Sequence, residues 1–66
     1  MIVIVNGDEV DVAEGATLGE LLDHLGLSRR LIVVERNGDP VPRRDTASVV
    51  LAAGDRLELV RAVAGG

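Results

Sequence analysis

One segment of this 66-residue chain carries a helical repeat, and it limits the possible folds more than any other feature. Thr17 and Glu20 stand at capping-box spacing, which predicts where the helix begins, and Gly26 suits its C-terminal cap. Four leucines within the segment fall on one stripe of that helix: Leu18, Leu21, Leu22 and Leu25. Because a single amphipathic helix has to bury its stripe against something, the rest of the chain should supply a sheet.

Short β-branched runs before the helix predict the first strands of that sheet. We predict strands at 2–5 and 9–12, paired antiparallel around Asn6-Gly7-Asp8. Asparagine and glycine tolerate the positive φ angles that tight hairpin turns need. The first part of the chain is therefore predicted to be a β-hairpin leading into the helix.

The segment after the helix predicts two further strands, at 31–36 and 56–60, so the expected order is ββαββ. Pro40 and Pro42 lack an N–H group, so the stretch around them can form at most an edge strand. The stretch 46–51 is ambiguous between a helical turn and a strand. The crossover through the helix is long enough to permit parallel pairing. We therefore predict an α+β domain with a small mixed sheet and one helix on one face.

The last predicted strand contains a break in its alternation. Leu57 and Leu59 share a face, but Arg61 follows on that same face. Either a bulge intervenes, or the chain leaves the sheet near Val60. The second choice divides the chain into a domain at 1–60 and an extended, flexible tail at 61–66.

Aliphatic side chains also occur on both faces of two predicted strands, "IVIV" at 2–5 and "LIVV" at 31–34. One helix covers only one face of a sheet, so some apolar surface should stay exposed on the other face. The alternative is that the curl of the sheet and the loops hide these residues.

The composition excludes several classes of function. A net charge of −4 without any aromatic residue argues against nucleic-acid binding. The absence of cysteine and the single histidine exclude the common closed zinc sites. We expect no bound metal.

No signal peptide or membrane span is recognisable, so we expect a cytoplasmic protein. All seven cationic residues are arginine, so the chain cannot acylate a lysine of its own.

Four short motifs, in order, resemble those of the ThiS-type sulfur carrier proteins of thiamine biosynthesis, which belong to the ubiquitin-like, β-grasp superfamily. They are "G-x-T-x-x-E-L-L-x-x-L" at 15–25, "N-G…V-P-R" at 37–43, "G-D" at 54–55 and the final "V-A-G-G". The likeness covers essentially the whole chain. One departure is Thr46, because some family members carry a tryptophan there.

The resemblance implies a protein co-substrate rather than an enzyme. The carboxylate of Gly66 would be adenylated with ATP by an E1-like, ThiF-type adenylyltransferase and then converted to a thiocarboxylate. A sulfur-delivering enzyme such as a cysteine desulfurase would provide the sulfur, and a ThiG-type thiazole synthase would consume it. Gly65, Ala64 and Val63 would thread the partner's active site. No bound cofactor, nucleic acid or membrane is expected.

Three other functions compete with this interpretation. The small subunit of molybdopterin synthase also ends in Gly-Gly, although such chains tend to be longer between their first strands. A ubiquitin-like modifier would acylate lysines of other proteins. An enzyme would need His24 as its base, but no nucleophile and acid stand at useful spacing from it. The arginine pairs at 29–30 and 43–44 are interpreted as solvated loop charge or as contacts for an acidic partner.

Overall fold

The structure, a computed structural model, describes residues 1–62. The strands form one sheet in the order β2-β1-β5-β3-β4, in which β1 and β5 are parallel and the other neighbours are antiparallel. This confirms the predicted α+β architecture with a mixed sheet and one helix. The elements in chain order are β1 (Ile2–Val5), β2 (Asp8–Asp11), α1 (Leu18–His24), β3 (Ile32–Arg36), β4 (Asp39–Val41), a 3-10 turn (Arg43–Asp45) and β5 (Arg56–Arg61).

Two-residue turns close both hairpins. Asn6 and Gly7 have φ angles of 49° and 88°, and Asn37 and Gly38 have φ angles of 52° and 88°. Two successive residues with positive φ are typical of the type I′ turn, whose twist matches that of the flanking strands. The predicted turn was one residue too long, so β2 begins and ends one residue earlier than predicted, at Asp8 and Asp11.

The predicted capping box starts helix α1. The Thr17 hydroxyl accepts from the Glu20 N–H at 3.1 Å, and the Glu20 carboxylate accepts from the Thr17 N–H at 2.9 Å. The loop before β5 provides acceptors for the next two amides, because the Leu18 N–H donates to Val49 and the Gly19 N–H donates to Thr46. Thr46 itself is buried, so the position that departs from the family pattern serves here as a core and capping residue.

The core lies between α1 and one face of the sheet. The predicted leucine stripe is right at Leu18, Leu21 and Leu22, but wrong at Leu25, which is 38% exposed. Leu25 is the C-terminal cap of the helix, and Gly26 follows it with a φ of 72°, so the chain turns away before Leu25 reaches the core. The sheet contributes most of the remaining buried apolar residues, and the loop before β5 contributes Leu51. Those of the sheet are Val3, Val5, Ile32, Val34, Leu57 and Leu59.

The structure adds to or changes the prediction for the second half at three points. The proline-containing stretch does form an edge strand, β4, so the order is ββαβββ rather than ββαββ. The ambiguous stretch 46–51 is mostly turn, with one isolated bridge between Val50 and Thr17. Strand β5 also runs one residue past its predicted end, with Arg61 opposite Ile32 in an unbroken register.

The break in alternation therefore needs neither a bulge nor an early exit. Leu57 and Leu59 lie under the helix, whereas Arg61 is exposed at the end of the same face. The strand simply extends beyond the edge of the core. The proposed division of the chain at residue 60 otherwise stays a prediction, because most of the tail lies outside the described residues.

Candidate functional site

Strand β5 leads directly to the residues that the sequence singled out. Those four residues, Val63, Ala64, Gly65 and Gly66, lie outside the described part of the chain. The structure therefore describes the platform from which they follow. That platform consists of the strand itself, the contacts that fix both its ends, and the sheet face beside it.

Contacts with β3 hold the end of β5. Arg61 pairs with Ile32, and the N–H of Ala62 donates to the carbonyl of Leu31 at 2.6 Å. Gly66 is four residues further along the chain, so its carboxylate lies within about 14 Å of Ala62 even when fully extended. The position of the sheet thus limits how far from it that carboxylate can lie.

The side chain of Asn6 fixes the middle of β5. Backbone pairing with β1 ends where the Asn6 N–H donates to the carbonyl of Leu57 at 2.9 Å. The Asn6 amide then accepts from the Leu59 N–H at 2.8 Å and donates to the Leu59 carbonyl at 3.2 Å. The side chain thereby provides the hydrogen bonds that one more residue of strand would provide.

A buried carboxylate fixes the start of β5. The oxygens of Asp55 accept from the Ala52 N–H at 2.8 Å, from the Asn37 amide at 3.0 Å and from the Arg36 guanidinium at 2.9 Å. Burial alone would raise the pKa of Asp55. Those hydrogen bonds, aided by the charge of Arg36, outweigh burial and hold the pKa below its ordinary value. The charged side chain of Asp55 therefore links the turn at Asn37 to the loop at Ala52, which leads into β5.

The sheet face opposite the helix carries exposed apolar side chains, as one of the two alternatives predicted. Val33 and Val60 stand directly opposite each other on β3 and β5 and are 47% and 60% exposed. Ile2, on β1, is 42% exposed on the same face. We call this surface the open face, and its members are Ile2, Ile4, Glu9, Asp11, Val33, Glu35, Pro40, Arg56, Glu58 and Val60.

Acidic residues lie next to the apolar pair on the open face. Glu35 and Glu58 are directly opposite each other, two residues along each strand from Val33 and Val60. Both side chains are exposed, and neither forms an ion pair within residues 1–62. The open face thus combines an apolar patch with a pair of facing carboxylates.

The remaining candidates from the sequence are not brought together. His24 is the exposed last residue of α1, and its ring makes no hydrogen bond with any other residue of 1–62. Arg29 pairs with Asp23 at 2.7 Å, and Arg44 approaches Asp45 only to 3.9 Å. In the part of the chain that the structure describes, no group of three acidic or histidine side chains is placed to hold a metal ion.

Sequence reasoning missed the contacts that hold β5. It treated Asn6 as a turn residue, and it used Asn37 and Asp55 as members of the "N-G" and "G-D" motifs. The signal available was that both hairpins contain asparagine rather than a second glycine at the first turn position. Asparagine tolerates the same backbone conformation and adds an amide that can reach a neighbouring strand.

Comparison with known proteins matches a family model described as the ThiS family to residues 3–66. A thiazole synthase of Paramagnetospirillum magneticum is 38% identical over the whole chain, and one of Magnetococcus marinus is 37% identical over 94% of it. The chain spans about a fifth of the length of these two relatives, 20% and 19% respectively.

Solved structures resemble the whole fold. The crystal structure of the thiamine biosynthesis protein ThiS from Geobacter metallireducens superposes with a TM-score of 0.85 at 30% identity, covering all of both chains. SAMP1 from Haloferax volcanii gives a TM-score of 0.60 at 29% identity, covering 98% of this chain and 97% of that one. These neighbours confirm the predicted ubiquitin-like β-grasp fold. Among residues 1–62, no helix has the length and apolarity that crossing a membrane requires.

Proposed function

The chain belongs to the ThiS family, and on that premise we propose that it is a sulfur carrier of thiamine biosynthesis whose chemistry takes place at the carboxylate of Gly66. The observation that carries this proposal is that the family match runs through residue 66, past the end of the sheet. The contacts of β5 support it, because a strand held at its start, middle and end fixes the point, Ala62, from which the last four residues follow.

The proposed chemistry has two stages, and both occur in partner enzymes. A carboxylate is a poor acyl donor because its leaving group is an oxide. Attack of the Gly66 carboxylate on the α-phosphate of ATP forms an acyl-adenylate and releases pyrophosphate. A persulfide then displaces AMP and forms an acyl disulfide, and a thiol reduces its S–S bond, becoming a disulfide itself, to release the thiocarboxylate. Glycine at 65 and 66 suits these steps because it lets the partner's backbone and the phosphate approach closely.

The carrier itself needs no catalytic side chain in this scheme. An E1-like, ThiF-type adenylyltransferase binds ATP and activates the carboxylate, and an enzyme such as a cysteine desulfurase supplies the sulfur. Excluding water from the adenylate protects it from hydrolysis, which favours a narrow peptide entering a closed site. Val63 and Ala64 have side chains small enough for such an entry. With ATP as co-substrate, we place the reaction in the cytoplasm.

We propose thiazole synthase as the enzyme that receives the sulfur. The support is that the two relatives named thiazole synthase share 38% and 37% identity with the chain over a fifth of their own length. A thiocarboxylate can deliver sulfur to a carbon of the growing thiazole and return the carrier as a carboxylate. Sulfur transfer to a molybdopterin precursor is the alternative, and the choice of partner separates the two.

The test is the intact mass of the protein purified from its own host. We expect a species in which one oxygen is replaced by sulfur, and this species should react with an alkylating reagent at the C-terminal residue. A fragment spectrum locates the sulfur on Gly66. Recovery of the terminal glycine in amide linkage to lysines of other proteins would contradict the proposal and indicate a ubiquitin-like modifier.

A further inference from the structure

The open face contains an arrangement that is unfavourable in the isolated domain. Glu35 and Glu58 are directly opposite each other on antiparallel strands. Like charges in that position destabilise a sheet, whereas opposite charges or apolar pairs stabilise it. Arg56 lies two residues before Glu58 on the same face, yet its guanidinium forms no ion pair with either glutamate. The two carboxylates therefore have no ion-pair partner among residues 1–62.

An apolar pair adjoins these carboxylates on the side toward the C-terminal end of β5. Val33 and Val60 follow in the same register and are about half exposed. Together the four side chains form a continuous surface, with apolar and acidic halves, on the two strands that hold Ala62. A protein bound there lies beside the end of β5, and the four residues after Ala62 keep the Gly66 carboxylate within about 14 Å of Ala62.

We propose that the open face binds a protein surface on which an apolar patch adjoins an arginine or lysine. The patch covers Val33 and Val60, and the cation lies between Glu35 and Glu58. The inference rests on the proposed function, in which this partner is the activating enzyme. It adds the chemistry by which that enzyme recognises the carrier.

Charge complementarity selects this occupant over a second copy of the same chain. A symmetric contact between two open faces would place two pairs of carboxylates near each other, in a chain whose net charge is already −4. Like charges across an interface repel each other, so self-association through this face is disfavoured. A basic partner instead relieves the repulsion that the free domain carries. Its charge also speeds encounter and discriminates against other surfaces.

The experiment measures steady-state adenylation of the carrier by the ThiF-type enzyme of the same organism, as exchange of labelled pyrophosphate into ATP. The variants are Glu58→Arg, Glu58→Gln and the matched control Glu14→Arg. Glu14 is exposed in the loop before α1, away from the open face. Glu58→Arg and Glu14→Arg change the net charge equally, so a difference between them reports position rather than overall charge.

We expect Glu58→Arg to raise the KM for the carrier about tenfold or more while leaving kcat unchanged, because a docking contact is made equally in the ground and transition states. Glu58→Gln should raise KM less, and Glu14→Arg hardly at all. The KM of the parent should rise with ionic strength more steeply than that of Glu58→Arg. Thermal unfolding should show both Glu58 variants at least as stable as the parent, because the facing pair is relieved.

The possible results separate the two proposals. If the parent is adenylated and Glu58→Arg has the KM of Glu14→Arg, the docking inference is wrong and the proposed function stands. If the parent itself supports no exchange with the enzyme, both proposals fall. A loss of thermal stability in Glu58→Gln would also contradict the inference, because it would mean that the facing carboxylates stabilise the free domain.

Discussion

The amide of Asn6 and the backbone of Leu59 form two hydrogen bonds across a sequence separation of 53 residues. The amide accepts at 2.8 Å and donates at 3.2 Å, which is the pattern of a paired strand residue. The turn that gives Asn6 its φ of 49° is what directs the side chain toward β5. The hairpin turn at Asn6, near the start of the chain, thus fixes strand β5, which lies near its end.

We expect Asn6→Gly to lower the free energy of unfolding by about 1–3 kcal/mol, because the partly buried polar groups of Leu59 lose their partners. Glycine keeps the positive φ without strain, so this change isolates the amide. Asn6→Ala should cost about 1–2 kcal/mol more, since alanine is strained in the left-handed region. Urea unfolding measures both values. An Asn6→Gly variant as stable as the parent would show that the amide contributes nothing.

The buried Asp55 predicts a loss of stability in acid. Its pKa is lowered in the folded state, so its contribution is fully present above the unfolded value of about 3.9 and is lost as the pH falls through the folded pKa. Asp55→Asn should therefore be less stable than the parent at pH 7, and the gap should narrow progressively below about pH 5. Urea midpoints across this range provide the measurement.

An Asp55→Asn variant whose deficit stays constant down to about pH 3 would indicate that the carboxylate keeps an ordinary pKa. Asp45→Asn is a suitable control, because Asp45 is half exposed and lies 3.9 Å from Arg44. Surface pairs of this kind contribute little, so its effect on the urea midpoint should be small at every pH.

Two leucines of the same helix should differ sharply when truncated. Leu22 is 1% exposed and lies in the core, so Leu22→Ala should lower the free energy of unfolding by about 2–5 kcal/mol. Leu25 is 38% exposed, and Leu25→Ala should stay within about 1 kcal/mol of the parent. Circular dichroism during urea titration compares them. Equal losses would mean that the helix continues to bury its stripe at Leu25.

Changes at Gly66 should abolish activation without unfolding the domain. Deleting Gly66 shortens the chain by about 3.6 Å, and a C-terminal tag removes the free carboxylate at that position. We expect neither variant to support pyrophosphate exchange. Gly66→Ala keeps the reach but adds a Cβ, and it should slow exchange strongly, since a misplacement of about 1 Å can cost about a hundredfold.

Thermal unfolding is the control that each Gly66 variant is folded. Mass spectrometry must show the tag intact after the assay. Normal exchange by the intact tagged protein would exclude Gly66 as the acceptor of the adenylate.

The features predicted correctly from the sequence depend on neighbouring residues. Thr17 and Glu20 form the capping box within one helical turn, and the Asn6-Gly7 pair closes the hairpin of β1 and β2. The sequence also indicated that one sheet face keeps exposed aliphatic residues. Local spacing was sufficient for each of these, because the partner of each residue lies a few positions away.

The features that were missed depend on tertiary placement. Leu25 continues the leucine spacing, but the core ends before it, and no local signal shows where a core ends. The pairing of Glu35 with Glu58 follows from the register of β3 on β5, strands that are far apart in sequence. The contact from Asn6 to Leu59 requires the parallel pairing of the first and last strands. Pattern reasoning cannot fix these registers without the assembled sheet.

The two outer strands of the sheet also determine how this domain behaves among many copies of itself. An exposed strand edge is a template for another strand, and unguarded edges lead to aggregation. Here β2 presents Asp8, Glu9 and Asp11 at one edge, and β4 has only three residues, with Pro40 at its centre, at the other. The carboxylates at the β2 edge, and the absence of an N–H group on Pro40 at the β4 edge, oppose growth of the sheet into a fibre. A domain built in this way should remain monodisperse when concentrated, and it leaves the open face rather than its edges available for contact.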